Sequence, residues 1–148
     1  MKLLALDGNS ILNRAFYGIK LLSTKDGQFT NGIYGFLTML QKIKEETQPD
    51  AVAIAFDLRA PTFRHKAFAG YKAKRKGMPE ELAQQMPIMK DVLRAMNIPI
   101  YECQGWEADD VIGTVGKICS RQDWECVIVT GDRDSLQLID ENVHVKLV

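Results

Sequence analysis

Four short apolar runs punctuate the chain, Lys2–Leu6, Ala51–Phe56, Ile98–Cys103 and Cys126–Thr130, and each leads into a polar turn. Apolar runs this short, bounded by turn residues, read as buried strands. A fifth run, Val143–Val148, alternates less clearly. Between the runs the apolar spacing becomes helical. Asn31–Thr47 places Ile33, Phe36, Leu37, Leu40 and Ile43 on one stripe, with Thr30 or Asn31 as its cap. Glu107–Ser120 does the same with Ala108, Val111, Ile112, Val115, Ile118 and Cys119. Pro79 opens a further helix with Glu80 and Glu81 in its first turn. Pro87 is expected to split it into Pro79–Met86 and Ile88–Met96. Ser10–Leu22 is a shorter helix, capped by Asn9 or Ser10. Strands alternating with helices predict a parallel sheet covered by helices on both faces. Such sheets place their ligands outside the carboxyl ends of the strands.

The length of 148 residues suits one domain with a core of its own. The longest strictly apolar run, Ala51–Phe56, has six residues, whereas a membrane span needs about 20. Leu3–Leu6 is too short for a secretory signal. Cys103, Cys119 and Cys126 lack a CxxC spacing and read as small hydrophobes in a reducing compartment. No membrane association is expected, and the location implied is the cytoplasm.

Net charge is zero, from 19 basic and 19 acidic residues, but the charges are segregated. Between Leu58 and Pro79 lie Arg59, Arg64, Lys66, Lys72, Lys74, Arg75 and Lys76, with no Asp or Glu. The remainder carries a surplus of acids. A neutral chain built this way can hold a polyanion and a metal ion together. A solvated basic loop is the plainer account of the same composition.

The acids follow the strands. Asp7 ends the first, Asp57 the second, and Asp132 and Asp134 the fourth. The third leads through Gly105-Trp106 to Glu107, Asp109 and Asp110. All seven carboxylates are therefore expected on one edge of the sheet, with Glu107 and Asp110 sharing a helix face and Asp109 flanking them. Each alone is an ordinary turn or cap residue. Together they are costly, since two charges ~4 Å apart repel by about 4 kcal/mol at an effective dielectric near 20. A divalent cation relieves that repulsion. Oxygen-only donors favour Mg²⁺ or Mn²⁺ over zinc. His65 and His144 stand outside these motifs. Carboxylate-held Mg²⁺ beside open water is the apparatus of phosphodiester hydrolysis.

The basic segment interleaves cations with rings: Phe63, Arg64, His65, Lys66, Phe68, then Tyr71, Lys72, Lys74, Arg75 and Lys76. Cations neutralise phosphates and rings stack on unpaired bases. Tyr71, Lys72 and Arg75 are read as phosphate or base contacts, and Phe63 and Phe68 as core anchors. Arg14, close to Asp7, either reaches a phosphate or pairs with an acid. A ribonuclease of similar fold has less need of this insertion. A receiver-type phosphotransfer domain accounts for the acids but not for the basic segment.

Several motifs match a known family in order and spacing: Leu6-Asp7-Gly8-Asn9-Ser10, Arg14-Ala15-Phe16-Tyr17, Asn31-Gly32-Ile33-Tyr34-Gly35-Phe36, Ala55-Phe56-Asp57, Phe63-Arg64, Tyr71-Lys72-Ala73-Lys74-Arg75, Gly105-Trp106-Glu107-Ala108-Asp109-Asp110 and the block from Thr130 to Leu138. The chain resembles the 5′-nuclease domain of bacterial DNA polymerase I, within the flap endonuclease/5′–3′ exonuclease superfamily. The resemblance implies a PIN-like (Rossmann-like) three-layer α/β fold, with a central, mostly parallel sheet and a helical arch insertion over about 59–89. It implies a 5′-nuclease in replication and repair, with two or more Mg²⁺ or Mn²⁺ ions per site in the intact domain. Asp7, Asp57, Glu107, Asp109, Asp110, Asp132 and Asp134 match the residues around the metals. Lys72 and Arg75 match those on the scissile phosphate, and Arg14, Tyr71, Lys74 and Lys76 are assigned to DNA binding. The substrate implied is DNA with a 5′ flap, nick or free 5′ end, and a polymerase module is expected in the same parent chain. The family has a further aspartate pair and a duplex-gripping module beyond the last block. The chain, residues 1–148, is thus expected to be the N-terminal catalytic part of a longer protein. Two readings stay open, an active nuclease core and a folded, inert fragment that binds DNA and metal.

Overall fold

Among the described residues, one sheet of five parallel strands organises the fold, in the order β3-β2-β1-β4-β5. The strands are β1 (Lys2–Asp7), β2 (Ala51–Ala55), β3 (Ile100–Tyr101), β4 (Glu125–Thr130) and β5 (Val143–Leu147). The computed structural model describes residues 1–57 and 78–148. In β1 successive side chains serve opposite faces. Leu4 and Leu6 join one core, together with Ile54, Phe56 and Val129. Ala5 joins the other, together with Ala55, Cys126 and Ile128. This two-sided burial is why the strands read as continuous apolar runs.

Helices α1 (Gly8–Gly18), α2 (Asn31–Thr47), α3 (Glu80–Ala83) and α4 (Gln85–Ala95) cover the first face, and α5 (Ala108–Arg121) covers the second. The result is three layers. The bounds of α2 are those expected, and Ile33, Phe36, Leu40 and Ile43 are buried along it. Burying each such side chain contributes roughly 1.5–3 kcal/mol, which outweighs intrinsic helix propensity. A 3-10 helix, Arg133–Leu138, follows β4.

Several boundaries differ from expectation. The cap of α1 is Asp7, not Asn9 or Ser10: its Oδ1 accepts the Ser10 N–H at 3.2 Å, and the helix ends at Gly18. The break expected at Pro87 falls at Gln84. Pro87 sits in the first turn of α4, where its missing N–H costs nothing. Gln85, fully buried, explains the shift. Its Oε1 accepts the N–H groups of Gly32 at 2.8 Å and Ile33 at 3.2 Å, capping α2 where Thr30 gives no side-chain bond. Its Nε2 donates to Asn31 Oδ1 at 3.0 Å and to the Glu81 carbonyl at 2.9 Å. Asn31 Nδ2 in turn donates to the Phe16 and Ile19 carbonyls. This satisfied polar network joins α1, α2 and α4. The third strand pairs only over Ile100–Tyr101.

Cys119 and Cys126 are buried as expected, and burial pushes the Cys126 thiol up to about 12. Cys103, by contrast, is exposed, because it lies beyond the paired part of β3. Among the described residues, no helix is long and apolar enough to cross a membrane.

Candidate active site

From β1 the chain steps outward to β2 and β3, then returns to lay β4 against the other side of β1. Strand order reverses there, and a crevice opens at the carboxyl ends of β1 and β4. A cleft of about 1400 Å³ occupies this edge, and Asp7, Asp57, Glu107, Asp109, Asp110, Asp132 and Asp134 all line it. A smaller hollow of about 520 Å³ lies at the opposite ends of the strands, around Lys2, Asp50, Glu125 and His144, and holds none of the seven.

Each acid is placed by a specific contact. Asp7 is buried, with Oδ1 on the Ser10 N–H and Oδ2 accepting the Thr130 hydroxyl at 3.1 Å. Thr130, fully buried, also accepts the Asp132 N–H at 3.1 Å. Ser10 Oγ accepts the Gly131 N–H at 2.7 Å, so α1 holds the turn after β4. Asn9 Oδ1 accepts the Asp57 N–H at 2.7 Å, and Asp57 Oδ1 accepts the Ala108 N–H at 2.5 Å. That second bond joins the end of β2 to the start of α5. Asp110 Oδ2 accepts the Glu107 N–H at 3.0 Å, and Asp132 Oδ1 accepts the Asp134 N–H at 2.9 Å. From the sequence, Asn9 and Ser10 read only as candidate helix caps and Thr130 only as a strand end, not as supports of the acids. The only signal was a short polar residue beside each acid, in Asp7-Gly8-Asn9-Ser10 and Thr130-Gly131-Asp132.

The electrostatics concentrate on two side chains. Asp109 is pushed up to about 8, first by burial, then by the charges of Asp7 and Asp132. Asp7 is also raised, chiefly by burial and then by repulsion from Asp57, against hydrogen bonds from Ser10 and Thr130 that pull it down. Among the described residues, Asp109 Oδ1 is buried without a hydrogen-bond partner. A buried, unpartnered carboxylate oxygen facing other carboxylates fits a divalent cation, which favours deprotonated ligands. Among the described residues, no three acidic, histidine or cysteine side chains stand in ligating geometry around one point. Asp57, Asp110 and Asp132 each turn an oxygen to a backbone N–H. The seven acids therefore share a cleft, and part of the set also caps helices.

Arg14 is exposed on α1 and forms no ion pair among the described residues. It lies beside the cleft-lining Asn13 but does not line the cleft itself. Lys72, Arg75, Tyr71, Lys74 and Lys76 lie outside the described residues, as do Phe63 and Phe68. Of the segment expected as an arch, the stretch from Glu80 is helical, and Leu82, Gln85 and Met89 are core residues. Tyr17, Tyr101 and Trp106 line the cleft with 66%, 48% and 49% of their surface exposed.

The layered parallel sheet and the acid-lined crevice at its switch point define a PIN-like α/β domain. Residues 2–147 match the model of the 5′-3′ exonuclease, N-terminal resolvase-like domain, and the chain belongs to that family. The chain is 49% identical over its whole length to DNA polymerase I of Caldicellulosiruptor bescii, and 42% identical over 99% of its length to DNA polymerase I of Bacillus caldotenax. It spans 17% of the length of each of these relatives. Among solved structures, 98% of the chain superposes on 54% of the bacteriophage T5 flap endonuclease in a pseudo-enzyme–product complex with DNA and metal ions, with a TM-score of 0.70 and 17% identity. T5 5′-exonuclease with bound zinc ions gives a TM-score of 0.69 at 17% identity, over 97% of this chain and 54% of that one. At these identities the likeness is one of fold.

Proposed function

We propose that this chain is the catalytic core of a metal-dependent 5′-nuclease, hydrolysing phosphodiesters at 5′ ends and flaps of branched or nicked DNA. The observation that carries the reading is the convergence of seven carboxylates, from four separate stretches of chain, on one cleft at the strand ends. Asp7, Asp57, Glu107, Asp109, Asp110, Asp132 and Asp134 would hold Mg²⁺ or Mn²⁺, two or more ions in the intact domain. When bound, such ions lower the pKa of the attacking water and stabilise the leaving oxygen. Asp7, fixed by Ser10 and Thr130, and Asp57, fixed by Asn9 and Ala108, keep two donors in place before substrate arrives.

Lys72 and Arg75 would rest on the scissile phosphate and stabilise the charge that develops there. Arg14, Lys74 and Lys76 would neutralise neighbouring phosphates. Tyr71, with the cleft rings of Tyr17, Tyr101 and Trp106, would offer stacking faces to unpaired bases. A polymerase module in the parent chain, and a place with the chromosome in the cytoplasm, belong to the same reading. It is supported by family membership and by the relatives named DNA polymerase I. The DNA and metal ions in the T5 flap endonuclease complex are consistent with it.

The test is incubation with an end-labelled 5′-flap duplex and Mn²⁺. Product that appears with Mn²⁺ and vanishes with EDTA is expected. A second reading, a folded fragment that binds DNA and metal without turnover, is favoured by the absence of a ready-made three-ligand set among the described residues. Binding of both ligands without product, at enzyme in excess of substrate, would establish that reading instead.

A further inference from the structure

The cleft contains an eighth acid. Glu102, the residue after β3, lines it beside Tyr101. Its side chain is 22% exposed, and its Oε1 is buried facing the Lys90 ammonium at 2.6 Å. Asp7, Asp57, Asp109, Asp132 and Asp134 form no ion pair among the described residues, so a lysine partner sets Glu102 apart from them.

Lys90 projects from α4 and is itself 17% exposed. Its Nζ also stands 5.3 Å from the centre of the Phe56 ring. That ring fills the space beside Gly8 so closely that a Cβ there would meet it at 2.5 Å. Phe56 precedes Asp57 and Gly8 follows Asp7. Lys90 therefore reaches the acidic edge twice, by charge through Glu102 and by contact with the ring between two acid-bearing turns. A half-buried pair of this kind contributes little to stability if both members are replaced together, but losing one partner leaves an uncompensated charge.

We propose that Lys90 is a positioning residue of the acidic cleft. It neutralises Glu102 and so keeps that carboxylate from competing with the seven others for cation. It also seats the Phe56 ring that spaces Asp7 from Asp57. The inference rests on the reading of the cleft as a cation-dependent nuclease site. It treats Glu102 as a structural counter-charge, not a ligand.

The test is a charge cycle on the chain with K90M, E102Q, K90M/E102Q and K90R. Met keeps the length of the lysine stem over Phe56 and removes only the charge. Mn²⁺ affinity, measured by electron paramagnetic resonance without DNA, should tighten about threefold or more in K90M and weaken about threefold or more in E102Q. The double variant should return to within about twofold of the parent, because the local charge balance is restored. In flap cleavage, kcat should fall about tenfold in K90M with KM nearly unchanged, recover in the double variant, and persist in K90R. Single variants that leave Mn²⁺ affinity unmoved would overturn the proposal. So would K90M and the double variant failing equally, which would reduce Lys90 to packing. If K90M does not fold, E102Q and K90R decide the charge term by the same Mn²⁺ measurement. If the parent chain binds Mn²⁺ but cuts nothing, the affinity cycle still decides the role of Lys90, and only the nuclease reading falls.

Discussion

The hydroxyl of Thr130 donates to Asp7 Oδ2 at 3.1 Å and accepts the Asp132 N–H at the same distance, so one buried side chain holds the acids of two strands in register. Thr130→Val keeps the shape and removes the hydroxyl. Asp7 then loses a donor in a buried setting, at a cost of about 1–3 kcal/mol. Urea unfolding should report that loss, and cleavage should fall with it. Parental stability together with parental rate would show that the bridge is incidental.

Asp132→Ala removes a carboxylate at the mouth of the cleft while leaving both cores untouched. Flap cleavage should be abolished and Mn²⁺ binding weakened, with an unchanged far-ultraviolet dichroism spectrum. A folded variant that cuts at the parental rate would remove Asp132 from the site.

Lys72→Ala separates catalysis from binding. If Lys72 acts on the phosphate in the transition state, cleavage should drop far more than DNA affinity measured in Ca²⁺. Equal losses in both would make it one more phosphate contact.

The raised acids give a signed pH dependence. Asp109, pushed from 3.8 up to about 8, and Asp7, also raised, keep protons in the folded chain that the unfolded chain has released. Stability from these groups is therefore present at low pH and lost as pH rises through that window. In EDTA the melting temperature should decline between about pH 5 and pH 8, and Asp109→Asn should flatten the decline. Saturating Mg²⁺ should remove it as well, since a cation replaces the proton. An EDTA profile that climbs across the window would contradict the burial of Asp109.

Gln85→Leu tests the network behind the cleft. It strands the N–H groups of Gly32 and Ile33 and the side-chain Oδ1 of Asn31 in a buried setting. A loss of about 3 kcal/mol is expected from chemical denaturation. A loss below about 1 kcal/mol would mean that water or a rearrangement satisfies these groups.

Much of this architecture is visible in one sequence because parallel strands are apolar throughout and α2 carries a clean stripe from Ile33 to Ile43. The acids are visible for a related reason, since each follows a run whose end the apolar pattern marks. What escapes is set by contacts between distant residues. Spacing alone does not tell that Asp109 enters the buried centre while Asp110 folds back onto the Glu107 N–H. Nor does a proline rule locate the helix break, because Gln85 is drawn to the start of α2, 53 residues away. Thr130 reads as a strand end and Asn9 as a candidate helix cap until their partners across the sheet are known.

β1 lies at the centre of the sheet, with β2 on one side and β4 on the other. It also precedes the other four strands of the sheet in the chain, and so leaves the ribosome before them. Leu3 must wait for Ala51 on one flank and for Cys126 on the other. The nascent polypeptide therefore cannot seal its innermost strand, or bring Asp7 to Thr130, until most of the domain has been translated, and premature termination before β4 should yield a degradation substrate with an open seam through its middle.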